Sequence, residues 1–220
     1  LVEIAIDEIE VPSEEGYQFD GWFLDPNFTQ PVPENFTFDD DVVIYAKWVR
    51  TSAPESLNAE EHFAYIIGYP DGTVKPENNI TRDEIATIFY RLLKADYRDT
   101  IFTADNNYKD VPKSWWANKA ISSISKGGYM QGYEDGTFRP DAYITRAEFA
   151  TVASRFYDVP ATTRKPFSDV SGHWAEDNIN AVATMGLVNG YEDGTFRPDD
   201  YITRAEAMTI FNRILVRYVN

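Results

Sequence analysis

The stretch Tyr191-Glu-Asp-Gly-Thr-Phe-Arg-Pro-Asp-Asp-Tyr-Ile-Thr-Arg-Ala-Glu206 recurs almost verbatim as Tyr133 to Glu148, and more loosely as Tyr69 to Glu84. In each copy the Gly of Asp-Gly stands ten residues before an Arg: Gly72 to Arg82, Gly136 to Arg146, Gly194 to Arg204. The period from Arg to Arg is 64 residues and then 58, so the spacing is fixed inside the unit and slack between units. A chain that repeats itself in this way must fold as an array of one supersecondary unit, and every other reading has to fit that constraint.

Each unit reads as a turn, an extended crossing and a helix start. Asp-Gly makes the turn, and Pro76, Pro140 and Pro198 keep the crossing out of helix. Thr81/Glu84, Thr145/Glu148 and Thr203/Glu206 form Thr-x-x-Glu capping boxes, followed by apolar residues at helical spacing such as Ile85, Ile88, Phe89 and Leu92. Arg82, Arg146 and Arg204 occupy the first helical position, where the helix dipole disfavours a cation by roughly 0.3–1 kcal/mol. Two readings account for this placement. Either the Arg and exposed helix N–H groups await an anion, or the Arg staples a carboxylate of a neighbouring repeat. The first expects Arg→Ala to leave stability almost unchanged; the second expects a lower melting temperature.

Ahead of these units, repeat two has Tyr108-Lys-Asp-Val, Trp116-Ala and a helix to about Lys126; repeat three has Phe167-Ser-Asp-Val, Trp174-Ala and a helix to about Met185. Trp116 and Trp174 each lie 16 residues before Gly132 and Gly190, the glycines that open the next turn. Both stand near helix starts and are candidates for helix-pair core. In repeat one His62-Phe63-Ala64 echoes His-Trp-Ala, but Gly68 follows five residues after Phe63, so residues 58–66 allow only a short helix. Asp71, Asp135 and Asp193 are expected to shape their turns, and Tyr69, Tyr133 and Tyr191 to join the core. His62 and His173 read as capping or packing residues rather than metal ligands.

The net charge of −16 is uneven: residues 1–50 carry 12 acids and 2 bases, residues 51–220 carry 24 and 18. Such a balance argues against nucleic acid and anionic membranes as partners. The chain has no cysteine, hence no disulfide or thiolate metal site, and no apolar run long enough for a membrane helix. Nucleophile elbows, phosphate-binding glycine loops and His-x-x-x-His are all missing, so the chain reads as non-catalytic and needs no cofactor. It starts at Leu1 inside a strand-like pattern, which reads as a piece of something larger.

Residues 1–50 are different in kind. Strands are expected at 1–6 and 42–48, and residues 16–24 are aromatic-rich and bounded by Gly, with Tyr17, Phe19, Trp22 and Trp48 as core and Asp39-Asp40-Asp41 as a solvated turn. Gly-Tyr-Gln-Phe-Asp-Gly-Trp-Phe, Asp-Pro-Asn-Phe and the closing Ile-Tyr-Ala-Lys-Trp resemble the Listeria–Bacteroides repeat, a small β-rich, grasp-like module of bacterial surface proteins.

The aromatic-x-Asp-Val, Trp-Ala, Gly-Tyr-Glu-Asp-Gly-Thr-Phe-Arg-Pro and Ile-Thr-Arg-Ala-Glu phrases over residues 57–218 resemble the S-layer homology (SLH) domain in triplicate. The resemblance implies a mainly α fold, a pseudo-threefold three-repeat spindle with a central helix bundle. The expected division is 1–50 for the β-module, 51–57 for a linker, and 58–104, 105–163 and 164–220 for the three repeats. It also implies an extracellular, cell-wall-associated anchor that binds secondary cell wall polymer linked to peptidoglycan, commonly through ketal-pyruvylated N-acetylmannosamine. By the same resemblance Arg82, Arg146 and Arg204 would meet the ligand's acid group, Trp116 and Trp174 would face a sugar, and the turns at Gly132 and Gly190 would supply backbone donors. Repeat one departs from the pattern with Asp83 beside its arginine and Phe63 in place of Trp. The alternative reading is a protein-binding S-layer assembly or adhesin module, with neighbouring surface proteins as partners.

Overall fold

The computed structural model describes residues 4–5, 17–33, 36–38, 42–50, 53–59, 65–157 and 166–215. Among these, six helices dominate: α1 Arg82–Leu92, α2 Ala95–Ile101, α3 Asn118–Lys126, α4 Arg146–Ser154, α5 Glu176–Thr184 and α6 Arg204–Ile214. The N-terminal part carries two small antiparallel sheets. β1 Ile4–Ala5 pairs with β3 Thr37–Phe38, and β2 Tyr17–Phe23 pairs with β4 Tyr45–Arg50. The register of the longer pair slips between Phe19 and Trp22, where Gly21 takes a φ of 117° that other residues resist. The clearest expected strand, 42–48, begins and ends later than foreseen.

Phe19 packs edge-on against Trp22 and Trp48, with ring centroids 5.1 and 5.7 Å apart. These aromatics and Tyr17 are half-buried rather than core, and Phe23, resting on Phe28, is the buried one. A two-stranded ribbon has no second layer to cover both faces, which leaves most of its rings partly open. The Asp39–Asp41 run, His62 and Phe63 lie outside the described residues, as does the middle of the short helix expected at 58–66; its described ends are not helical.

The three capping boxes form as the sequence requires. Thr81, Thr145 and Thr203 are the N-caps of α1, α4 and α6, with Glu84, Glu148 and Glu206 reaching back to their backbone N–H groups at 2.9–3.0 Å. The closing helices α1 and α4 then each receive the lead-in helix of the following repeat, α3 on α1 and α5 on α4. Against α6, Tyr65 of repeat one fills the corresponding place: its ring lies 6.1 Å from Phe211 and its hydroxyl donates to Asn212 Oδ1 at 2.6 Å. Leu57, at the end of the stretch read as linker, is 1% exposed and bridges Leu93 at the end of α1. The helix α2 was not foreseen; it carries the chain from α1 across to α3.

Between the repeats the backbone closes on itself. Ile80 N–H donates to Ile202 C=O, Ile202 N–H to Ile144 C=O and Ile144 N–H to Ile80 C=O, at 3.1, 3.2 and 3.1 Å. All three isoleucines are fully buried. Below this ring Phe89, Phe149 and Phe211 meet, one from each closing helix, with centroids 4.7–6.2 Å apart. They do not occupy equivalent positions. Phe149 stands four residues after its cap and the other two stand eight after theirs, so the shared core is filled by unlike side chains from like helices.

A core made jointly by three repeats cannot be dismantled one repeat at a time. Phe149→Ala is expected to cost about 3–5 kcal/mol and to lower one common transition. Denaturant unfolding followed by helical circular dichroism checks this, and two separated helical transitions would contradict it.

Candidate functional site

The positive end of each closing helix is fully occupied. Arg82 N–H and Asp83 N–H donate to Ala142 and Pro140 carbonyls of repeat two. Arg146 and Ala147 do the same to Asp200 and Pro198 of repeat three, and Arg204 and Ala205 to Asn78 and Pro76 of repeat one, all at 2.8–3.1 Å. The prolines that keep each crossing extended thus also present carbonyls to a neighbour's helix start. No first-turn N–H of these pairs is left for an anion.

The arginine side chains run the same way round. Arg82 Nη1 donates to Glu148 at 2.9 Å, Nε to Phe138 C=O and Nη2 to Gln131 C=O. Arg146 repeats this with Glu206 at 3.1 Å, Phe196 C=O and Asn189 C=O; Arg204 does so with Glu84 at 2.6 Å and Val74 C=O. All three are 3–7% exposed. Of the two readings the sequence left open, this is the geometry of the staple: a guanidinium held by a neighbour's carboxylate and carbonyls. The cation's misplacement at a helix start is offset by the Glu it reaches.

Each glutamate therefore works in two directions. Glu148 accepts from Thr145 N–H through Oε2, and from Arg82 and the Tyr133 hydroxyl through Oε1. Tyr133 lies between two guanidiniums, Arg82 at 4.7 Å and Arg139 at 3.9 Å from its ring centre, and Tyr191 sits likewise between Arg146 and Arg197. Burial, with the bond to Glu148 behind it, pushes the Tyr133 hydroxyl up to about 12.

The Asp-Gly turns are self-contained. Asp193 Oδ1 accepts from Thr195 N–H and hydroxyl while Oδ2 takes Arg197; the Thr195 hydroxyl leads in holding the Asp193 carboxyl down to about 2. Asp71 is held down to about 2 in the same way, first by Thr73. Lys75, Arg139 and Arg197 sit at φ of 50–56°, strained for residues with a side chain. In repeats two and three the strain is fixed by Asp110 and Asp169, whose carboxylates accept from the N–H groups of residues 138–139 and 196–197. Gly132 and Gly190 have no room for a side chain: an added Cβ would meet Tyr108 or Phe167 at 2.4 Å and the Thr137 or Thr195 carbonyl at 2.5 Å.

Trp116 and Trp174 are 61% and 64% exposed, so neither is core. Their neighbours take the inward role. Trp115 Nε1 donates to Asp83 at 3.2 Å, and His173 accepts from Ala175 N–H and contacts Asp199. Asp83, the departure in repeat one, is 3% exposed and also accepts from the Thr81 hydroxyl. Its burial raises the carboxyl above its ordinary value.

A cleft of about 170 Å³ opens between repeats two and three, lined by Arg146, Asn189, Gly190, Tyr191, Glu206, Thr209, Ile210 and Arg213. It brings together two of the residues singled out in the sequence, Arg146 and Gly190; Arg82, Arg204, Trp116, Trp174 and Gly132 lie outside its lining. Sequence reasoning passed over Arg213, although Arg91, Arg155 and Arg213 keep the same 64- and 58-residue steps as the helix-start arginines. Among the described residues no group of His, Asp and Glu could hold a metal, and no helix is long and apolar enough to cross a membrane.

The S-layer homology domain model matches residues 63–86, 107–150 and 166–208, together half of the chain, and the Listeria-Bacteroides repeat domain matches residues 3–47. The chain is 42% identical over 170 residues to a cellulosome-anchoring protein of Acetivibrio thermocellus, covering 74% of this chain and 38% of that protein. It is 43% identical over 170 residues to cell surface glycoprotein 1 of the same organism, covering 71% of this chain and 7% of the relative. An S-layer protein of Bacillus licheniformis is 32% identical over 159 residues, covering 70% and 18%. The chain thus spans less than two fifths of each of these relatives.

Removing Arg146 unpairs two neighbouring carbonyls and a Glu206 whose side chain is 35% exposed, a loss smaller than the ~3–5 kcal/mol of a fully buried pair but still measurable. Arg146→Ala is therefore expected to lower the melting temperature, and an unchanged melting temperature would contradict the staple. For Asp83 the expectation concerns pH. Its folded value is raised, so its contribution to stability is fully present below the unfolded value of 3.8 and fades as pH rises through the folded one. Asp83→Asn should match the parent in acid and melt higher at neutral pH; a variant that melts lower at neutral pH would show the ionised carboxylate to be favourable.

Proposed function

Because the chain belongs to the S-layer homology domain family, we propose that it fastens a bacterial surface protein non-covalently to the cell wall by binding secondary cell wall polymer in a groove between repeats. The cell-surface setting is that of the family and of the S-layer and cellulosome-anchoring relatives. The family's usual ligand, a ketal-pyruvylated N-acetylmannosamine unit, is the glycan we assign. The module itself is read as non-catalytic.

The observation that carries this reading is the cleft between repeats two and three. Its wall combines two guanidiniums, Arg146 and Arg213, with one glutamate, Glu206, in a chain whose net charge is −16. A local cationic surplus on so acidic a protein selects an anionic group. The volume is close to that of an engineered cavity of about 150 Å³ that accepts benzene, hence room for one six-membered ring. Arg146 and Gly190 enter here as wall. Arg82, Arg204, Gly132, Trp116 and Trp174 are proposed for the neighbouring grooves and their rims, the two exposed tryptophans as platforms for further sugars along the polymer.

The three repeats at 58–104, 105–163 and 164–220 are read as one pseudo-threefold spindle with the closing helices on its axis. The closed isoleucine ring and the cyclic Arg–Glu pairs support that arrangement. Residues 1–50 are read as an independent β-module. A second reading, protein-binding in S-layer assembly, is favoured by Tyr143 and Tyr201. These two rings are about half exposed and 5.5 Å apart across the junction of repeats two and three.

Sedimentation with purified wall, before and after chemical removal of its polymer, tests the first reading against the second. Binding is expected to disappear with the polymer; binding that survives would favour a protein partner. Removing residues 1–50 is expected to leave wall binding unchanged, and its loss would show that the helical part does not act alone.

A further inference from the structure

The helix-start arginines spend their guanidiniums inward, which leaves open what meets the acid group of a ligand. A second row of arginines lies near the ends of the same helices. Arg91 Nη1 donates to Tyr65 C=O at 3.5 Å, Arg155 Nη1 to Tyr129 C=O at 3.0 Å and Arg213 Nη1 to Leu187 C=O at 3.4 Å. A basic residue near a helix C-terminus ordinarily completes nearby carbonyls, and Arg155 at 3.0 Å fits that role.

Arg213 is set apart by its place on the cleft wall rather than by its bonding, since Arg91, with its 3.5 Å bond, and Arg155 are likewise met by neutral carbonyls. Its bond to Leu187 is long, and its other partner, the Asn189 amide turned so that its oxygen faces the guanidinium, stands at 3.3 Å. Both partners are neutral, and among the described residues no carboxylate pairs with it. Glu206, the acid of the same cleft, is already committed to Arg146 at 3.1 Å and to the Thr203 N–H. Arg213 is also only half-buried, on the wall of the formed cleft, whereas Arg146 is 7% exposed with three protein acceptors around it.

The same cleft also holds a backbone donor. In repeat two the Tyr108 hydroxyl accepts from Gly132 N–H at 3.1 Å. Repeat three has Phe167 in that place, which offers no oxygen, and among the described residues no acceptor meets the Gly190 N–H. Gly190 lines the cleft.

We infer that Arg213, rather than the helix-start Arg146, receives the carboxylate of an acidic sugar ring seated between repeats two and three. The inference rests on the anchoring reading above and adds to it the residue that selects the charged ligand. Arg146 is then a positioning residue. It fixes the two repeats whose edges form the cleft, and Arg213 supplies a guanidinium whose present acceptors are both neutral and distant, which a carboxylate would outcompete.

The test compares pyruvylated N-acetylmannosamine with the same sugar lacking its ketal, by calorimetry on the full chain. The unaltered protein is expected to prefer the pyruvylated sugar by on the order of tenfold or more, the scale of one charge-assisted contact. Arg213→Gln is expected to bring the two affinities together while leaving the melting temperature in place, and Arg213→Lys to recover part of the preference. Arg146→Gln should instead lower the melting temperature. An Arg213→Gln protein that still prefers the pyruvylated sugar would overturn the inference and leave the anchoring reading standing. An unaltered protein that binds neither sugar would overturn the anchoring reading, and this inference with it.

Discussion

Glu148 gives one carboxylate oxygen to the N-cap of its own helix and the other to Arg82 of the preceding repeat, and Glu206 and Glu84 do the same for Arg146 and Arg204. The capping box is a local device that any helix can use. Here its acid is also the acceptor for a cation 60 to 120 residues away, so local helix initiation and docking of the repeats depend on one side chain. The direction of pairing, one to two, two to three and three to one, leaves no end. Each closing helix has its cation matched and its first two N–H groups satisfied by a neighbour.

That closure also shapes the cleft beside Arg146. The staples set how closely adjoining repeats approach, and the seams they leave are not alike. The side chain of Glu206 is 35% exposed, against 19% for Glu148 and 20% for Glu84, which identifies the seam between repeats two and three as the open one. Repeat one departs most from the pattern. It has Val74 where its sisters place Phe138 and Phe196, and it buries Asp83 against Trp115 where they have alanine. These changes give the seam between repeats one and two a polar contact of its own.

Much of this was legible in the sequence because it is local. The Thr-x-x-Glu boxes, the Asp-Gly turns and both lead-in helices follow from residues within a few positions of one another. The fate of Arg82, Arg146 and Arg204 is not local. An arginine at a helix start looks the same whether it awaits an anion or reaches a carboxylate of the next repeat, and only the closed arrangement decides. Trp115 and Trp116 show a similar limit: two adjacent aromatics at a helix entrance cannot be told apart until the helix has a neighbour. Arg213 was within reach, since it keeps the repeat's own period, but its value lies in what it lacks. That no carboxylate among the described residues pairs with it cannot be read from a sequence. In the β-module the slip at Gly21 makes Phe23 the buried ring, a shift that simple alternation does not show.

If the isoleucine ring is closed, the three repeats open only as one body. Native-state hydrogen exchange of the Ile80, Ile144 and Ile202 amides tests it most directly, because each donates to the carbonyl of another repeat. All three are expected to exchange with the same free energy, equal to that of global unfolding, and Arg204→Ala to lower the three together. If one of these amides exchanges through an opening that leaves the other two protected, the ring is not closed and the repeats are separate units.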